Sequence, residues 1–181
     1  MHTRAQHLFH VFIRLSLIGT LTGFSALAQA LMQAPTQEPE TPAKVWLESP
    51  LQLPAAPAQE NYLAFYKSAQ QKFFIDTQSL TIAKDGSFRY TLISTSQSGA
   101  KNISYEGLRC DSYEKKIYAF GRTDGSWSPS RNAEWSGISN SGVNRQHASL
   151  AQEFVCEGLS VSGDIERILQ RIRSNQPLRA F

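Results

Sequence analysis

The stretch KFFIDTQSLTIAKDGSFRYTLIS, residues 72–94, decides the fold. Apolar and β-branched runs stand on either side of Asp85 and Gly86, and an Asp-Gly pair between two such runs is a strong hairpin signal. In the second run Phe88, Tyr90 and Leu92 point to one side of an extended chain, and Arg89, Thr91 and Ile93 to the other.

The pattern continues outward. The turn SQSGA (96–100) leads into NISYEGLRC (102–110), and DSYEK (111–115) leads into KIYAFGR (116–122). These four strands form a meander, with shorter pieces around Leu63 to Tyr66 and Phe73 to Ile75. Beyond them the period changes. In HASLAQEFVC (147–156) Leu150 and Phe154 lie four apart with Ala151 and Val155 beside them, which predicts a helix with one apolar face. Asn144 is placed to cap its start and Gly158 to end it. In SGDIERILQRIRS (162–174) Ile165, Ile168, Leu169 and Ile172 predict a second helix, capped by Ser162 or Asp164. The expected architecture is α+β: an antiparallel meander sheet of about five to six strands, C-terminal helices packed on one face, and one disulfide.

The first thirty residues read as a secretory signal. Arg4 and Arg14 precede the apolar LSLIGTLTGFSALA, too short to serve comfortably as a membrane span, and both Ala26-Leu27-Ala28 and Ala28-Gln29-Ala30 fit an A-x-A cleavage rule. No cysteine lies just after that run, so a lipid anchor is not expected, nor is stable membrane insertion after cleavage. The expected location is the periplasm. Six of the eight prolines fall at positions 35, 39, 42, 50, 54 and 57. Residues 31–43 therefore read as a disordered leader. KVWLESPLQLPAAP (44–57), with Trp46, Leu47, Leu51 and Leu53, reads as a strap on the surface of a domain spanning 44–175, and residues 176–181 as a flexible tail.

Loss of the signal changes the inventory. Two of the 18 Lys and Arg leave and all 15 Asp and Glu stay, so the mature chain carries 16 against 15, about +1. So balanced a charge offers no long-range pull on nucleic acid, and no nucleic-acid partner is expected. His2, His7 and His10 leave as well, and the single remaining histidine, His147, excludes any site that needs two. No metal and no cofactor are expected. Cys110 and Cys156 survive together, and an exported chain with one pair of cysteines is expected to join them. Closing that loop restricts the unfolded chain by about 4 kcal/mol.

At YEGLRCDSYEKKIYAFGRTDGSWSPSRNAEW (105–135) the chain resembles the CNP1-like family of exported proteobacterial proteins. The resemblance also takes in Trp46-Leu47-Glu48, Leu53, Pro54, Pro57, IDTQSL, DGSFRYTL, SGAKNISYEGLRC, Asn144, His147 and the segment from Phe154 to Cys156. It implies export and one domain over roughly residues 44–160, and it assigns no activity. Many members look like lipoproteins; the missing cysteine keeps that feature from carrying over. A fainter similarity to surface-adhesin E-like domains, in the ID-x-x-SL strand and the two-cysteine plan, supports the fold alone.

The candidate binding surface is FGRTDGSWSPSRNAEW, with Arg122, Asp124, Trp127, Arg131, Asn132 and Trp135, and with His147 as a further member. Tryptophan faces stack on sugar rings or aromatic ligands, while Arg and Asp supply directed hydrogen bonds. The bland reading is that Asp124-Gly125 and Ser128-Pro129 form turns and the tryptophans close the core. On the strand SYEGLRC, Glu106, Leu108 and Cys110 face one way and Tyr105, Gly107 and Arg109 the other. A structural ion pair is expected for Glu106, with Arg122 as the candidate partner. No nucleophile signature accompanies His147, so no catalytic residue is assigned. The expectation is a non-catalytic envelope binding or adaptor module whose partner is an envelope protein or a glycan. The alternative is an envelope-polymer hydrolase using His147 or paired carboxylates, Glu106 with Asp124 or Glu134. A purely structural assembly partner is the third reading, and oligomeric state is not legible.

Overall fold

Asp85 and Gly86 do close a hairpin. Gly86 takes a positive φ of 83°, its amide reaches Ala83 O, and Ala83 N meets Ser87 O across the loop. This is a computed structural model, and it describes residues 45–142 and 145–178. The signal and leader lie outside the described residues, and so does Asn144.

The strands are β1 (Tyr62–Lys67), β2 (Gln71–Asp76), β3 (Thr81–Ile82), β4 (Phe88–Ser96), β5 (Lys101–Arg109), β6 (Glu114–Gly121), β7 (Trp127–Pro129) and β8 (Ser136–Gly137). They form one antiparallel sheet in the order β1-β2-β4-β5-β6-β7, with short β3 beside β4 and short β8 beside β6. The six main strands match the meander expected from the alternation. Tyr90 pairs with Glu106 and Phe88 with Leu108, so the apolar residues of β4 and β5 share a face. A bulge opposite Tyr105 and Glu106 re-aims β6, and Tyr118 is its extra residue.

That face is covered by the C-terminal elements. Helix α1 (Arg145–Ser149) runs directly into a π-helical turn, Leu150–Val155, where an unbroken α-helix was expected. The Cys156 amide bonds back five residues to Ala151 O. The wider turn keeps Leu150, Ala151, Phe154 and Val155 all buried. Gly158 does not end the helix. It sits at φ 60° in the tight turn joining β9 (Cys156–Glu157) to β10 (Ser160–Val161). Helix α2 (Ile165–Ser174) is capped by Asp164, whose Oδ1 accepts from Arg167 N at 2.9 Å, and it buries Ile168, Leu169 and Ile172.

The core joins these to Phe73, Ile75, Phe88, Tyr90, Leu92 and Leu108. The Cys110–Cys156 disulfide staples the end of β5 to the end of the π turn, with Cα atoms 5.5 Å apart. Arg171 of α2 donates through Nε and Nη2 to Phe154 O at 3.1 and 2.9 Å, satisfying a carbonyl that the turn leaves open. The Leu178 amide meets Glu153 O at 2.7 Å and draws the last described residues back to the same turn.

Candidate functional site

Alternation along β4 and β5 sends neighbouring side chains to two clusters on opposite faces of the sheet. On the helix-covered face lies Glu106, 2% exposed. Its Oε2 accepts from Tyr90 Oη at 3.0 Å and lies 2.8 Å from His147 Nε2; its Oε1 accepts from Ser104 Oγ at 2.5 Å. His147, 5% exposed, has its Nδ1 3.3 Å from Gln146 Nε2. The partner of Glu106 is therefore His147, and the expectation of Arg122 is corrected. The physical reason is the face: Glu106 points toward α1, whereas Arg122 lies in the β6–β7 turn and donates to Ser128 Oγ at 3.2 Å. Burial pushes the Glu106 carboxyl up, but the contacts from His147, Ser104 and Tyr90 outweigh it and leave its pKa below the usual value. Burial, reinforced by Glu106, pushes the Tyr90 hydroxyl well up. Every residue of this cluster is buried.

The opposite face holds a second cluster, built from cations and rings. Gly107 makes room for it, because a Cβ there would stand 2.7 Å from Tyr118 Oη and 2.9 Å from the Trp135 ring. Tyr105, Tyr118, Trp127 and Trp135 line the face, with ring centroids 5.9 to 6.3 Å apart between neighbours. Trp46 from the strap meets Trp135 edge-on at 5.5 Å, and the Arg109 guanidinium lies 3.9 Å from the Trp46 centroid.

Arg89, 4% exposed, anchors the strap. Its Nη1 donates to Pro50 O at 2.9 Å, and its Nη2 to Ser49 O at 2.8 Å and Asp85 Oδ2 at 3.0 Å. Asp85 also accepts from Ser49 N at 2.6 Å and from Ser87 N at 2.8 Å. Burial raises the Asp85 carboxyl, but the bonds from Ser87 and Ser49 and the charge of Arg89 bring its pKa below the ordinary range. Lys116 Nζ reaches Glu48 at 2.7 Å, and Trp127 Nε1 donates to Pro54 O at 2.8 Å. Of the strap expected from residues 44–57, the described residues 45–57 are thus seated on a polar, aromatic underside.

The loop 122–135 is divided by this arrangement. Its turn is tight: Asp124 Oδ1 accepts from Ser126 N at 2.8 Å, and Gly125 has φ 83°. Trp127 and Trp135 are half-buried and pack under the strap, on the face opposite the core that the bland reading gave them, and Ser128 and Pro129 lie in strand β7 rather than in a turn. Arg122 and Trp127 help line one cleft of about 410 Å³ with Tyr62, Lys101 and Ile103. Arg131, Asn132, Glu134 and Trp135 help line another of about 540 Å³ with Lys115 and Phe120. Asp124 lines neither, and His147 stands apart from the loop behind the sheet. Among the described residues, no group of three or more His, Cys, Asp and Glu side chains could hold a metal ion.

Sequence reasoning missed Arg89, Arg109 and Trp46 as one assembly. Alternation puts Arg89, between Phe88 and Tyr90, on the outer face of the strand, where an arginine reads as solvated rather than covered. Which segment covers it is not written in the strand.

The profile of the CNP1-like family matches residues 41–173. Cryptic neisserial protein 1 of Neisseria gonorrhoeae (strain ATCC 700825 / FA 1090) is 30% identical over 190 aligned residues, covering 87% of this chain and 90% of that protein. No solved structure matches the chain.

Proposed function

The chain belongs to the CNP1-like family, and from that premise we propose that it is a non-catalytic binding or adaptor module of the cell envelope, working in the periplasm after loss of a signal peptide at residues 1–30. The observation that carries this reading is the 540 Å³ cleft beside β6 and β7. Trp135 in its lining is packed between Trp46 and Tyr118, while Arg131, Asn132 and Glu134 stay exposed at its rim. Phe120 is 46% exposed within it. An exposed ring with amide, guanidinium and carboxylate groups on a braced loop suits recognition of a glycan or of a protein side chain.

Two further features support the reading. The disulfide fits an oxidising compartment. The hydrolase alternative has weaker support: His147 and Glu106 are bonded to one another inside the core, away from both clefts, and Asp124 is spent on its own turn.

The test is a photo-cross-linking residue at position 131 or 132, activated in intact cells, with an exposed site on the helix side such as position 170 as control. Capture of a defined envelope protein or glycan from 131 or 132 alone is expected; identical products from the control site would overturn the reading. The compartment is tested by the mass of the mature chain in a periplasmic extract. A chain beginning at Gln29 or Leu31 is expected, and an intact precursor there would refute export with cleavage.

A further inference from the structure

Residues 45–57 are held as a ligand is held rather than as a strand. Among the described residues, no backbone-to-backbone hydrogen bond joins them to the sheet. Side chains of the sheet read the segment instead. Arg89 takes the carbonyls of Ser49 and Pro50, Trp127 takes that of Pro54, Lys116 takes the Glu48 carboxylate, and Arg109 stacks on Trp46. Donors that read free carbonyls, with rings beside prolines, are the chemistry by which grooves recognise extended proline-containing peptides.

The tethered segment does not exhaust the groove. Tyr118 Oη and Trp135 Nε1 are both buried and lack a hydrogen-bond partner. Glu48 is close enough to act on the Tyr118 hydroxyl, whose pKa is raised by burial and then by that carboxylate. Trp127 holds Pro54 eight positions before the start of β1, which limits how far the tethered segment can move along the groove. The segment also presents apolar groups outward: Val45 and Leu47 are 77% and 79% exposed.

We propose that this face is a peptide-binding groove for an extended aromatic-x-acid-x-proline segment, filled in cis by Trp46-Leu47-Glu48-Ser49-Pro50, and that it accepts the same segment from a second copy of the chain. The occupant is identified by the groove itself, since residues 46–54 supply the ring, the acid and the carbonyls that its donors meet. Release in cis breaks no strand ladder, so exchange leaves the sheet and the helix-covered core in place. The groove shares Trp135 with the β6–β7 cleft, but the two readings are tested at different residues, so failure here leaves the adaptor reading standing and the reverse holds as well.

The experiment uses the mature full-length chain, mixed as equal parts of natural-isotope and ¹⁵N-labelled protein. A carbodiimide couples Glu48 to Lys116 across their 2.7 Å contact, and mass spectrometry reads whether each coupled pair carries one isotope or two. Mixed pairs are expected to rise several-fold between micromolar and millimolar protein, because the tethered segment competes at an effective concentration of about millimolar. A second arm titrates a synthetic peptide of residues 44–57 into full-length Trp46→Ala, whose groove is intact and whose own segment is weakened. Saturable binding about fivefold tighter than to the unsubstituted chain is expected, because the weakened segment competes less well for the groove. It should weaken when Trp127→Phe removes one donor. Single-isotope pairs at every concentration would overturn exchange, whether or not the peptide binds. Equal peptide binding to the substituted and unsubstituted chains, unmoved by Trp127→Phe, would overturn the groove.

Discussion

The two faces of the sheet are built from the same strands and held together by different physics. On the helix-covered face the contacts are hydrocarbon: Phe88, Leu108, Leu150, Phe154 and Ile168 are essentially inaccessible to water. One charged cluster, Glu106 with His147, is fully enclosed there and fully bonded. On the strap-covered face rings alternate with guanidinium and ammonium groups, and the covering segment contributes carbonyls rather than a ladder. A face sealed by helices and a disulfide cannot open without unfolding. One sealed by a strap can open locally, because no strand pairing opposes it. The difference locates where stability resides and where a partner could enter.

The largest expected effect tests the sealed face. Replacing both Cys110 and Cys156 with serine should cost about 4 kcal/mol, read from denaturant midpoints of the oxidised parent and the variant. A cost within error of zero would mean that α1 and α2 hold the face unaided. Next, Glu106→Ala should cost about 3 kcal/mol, since it removes one member of a buried pair and leaves His147, Tyr90 and Ser104 without their acceptor. Thermal unfolding of Glu106→Ala, His147→Ala and the double variant, each against the parent, measures the coupling.

On the strap side the effects should be smaller. Gly107→Ala drives a methyl group into Tyr118 and Trp135, at about 2 kcal/mol of overpacking. Trp46→Ala should cost about 1 kcal/mol, the loss of half-buried cation–π and ring contacts, and hydrogen exchange should quicken at the amide of Ser49 while the core amides stay protected. If Trp46→Ala cost more than Glu106→Ala, the ranking of the two faces would be reversed.

The smallest effect is pH dependence. The folded-state pKa of Glu106 lies below the ordinary 4.5, so its contribution is fully present above that value and is lost as pH falls through the depressed folded value. Melting temperature should therefore fall on acidification below about pH 4.5, and Glu106→Gln should flatten that fall. A parent curve as flat as the variant's would show that the enclosed charge contributes nothing.

Much of this was legible in the residues. Period-2 alternation in SFRYTLIS and SYEGLRC, the turn at Asp85 and Gly86, and the apolar faces of residues 150–155 and 165–172 suffice for an antiparallel sheet under helices. The π turn was not, because a π and an α segment bury the same Leu150, Phe154 and Val155; only the i−5 bond of Cys156 separates them. Gly158 was misread for a related reason: a positive φ serves a helix end and a two-residue hairpin turn equally well.

What the sequence determined by itself is local or covalent: strand period, turn chemistry, the faces of two helices, the availability of a single cysteine pair, and the proline-rich character of the strap. Tertiary structure alone decided who meets whom across the sheet. Glu106 found His147 rather than Arg122 because the helix that covers its face starts next to that histidine. Arg89 found the carbonyls of Ser49 and Pro50, forty and thirty-nine positions away, because a proline segment free of backbone pairing can lie across the strands. Alternation assigns each side chain a face, and only packing assigns the face a partner.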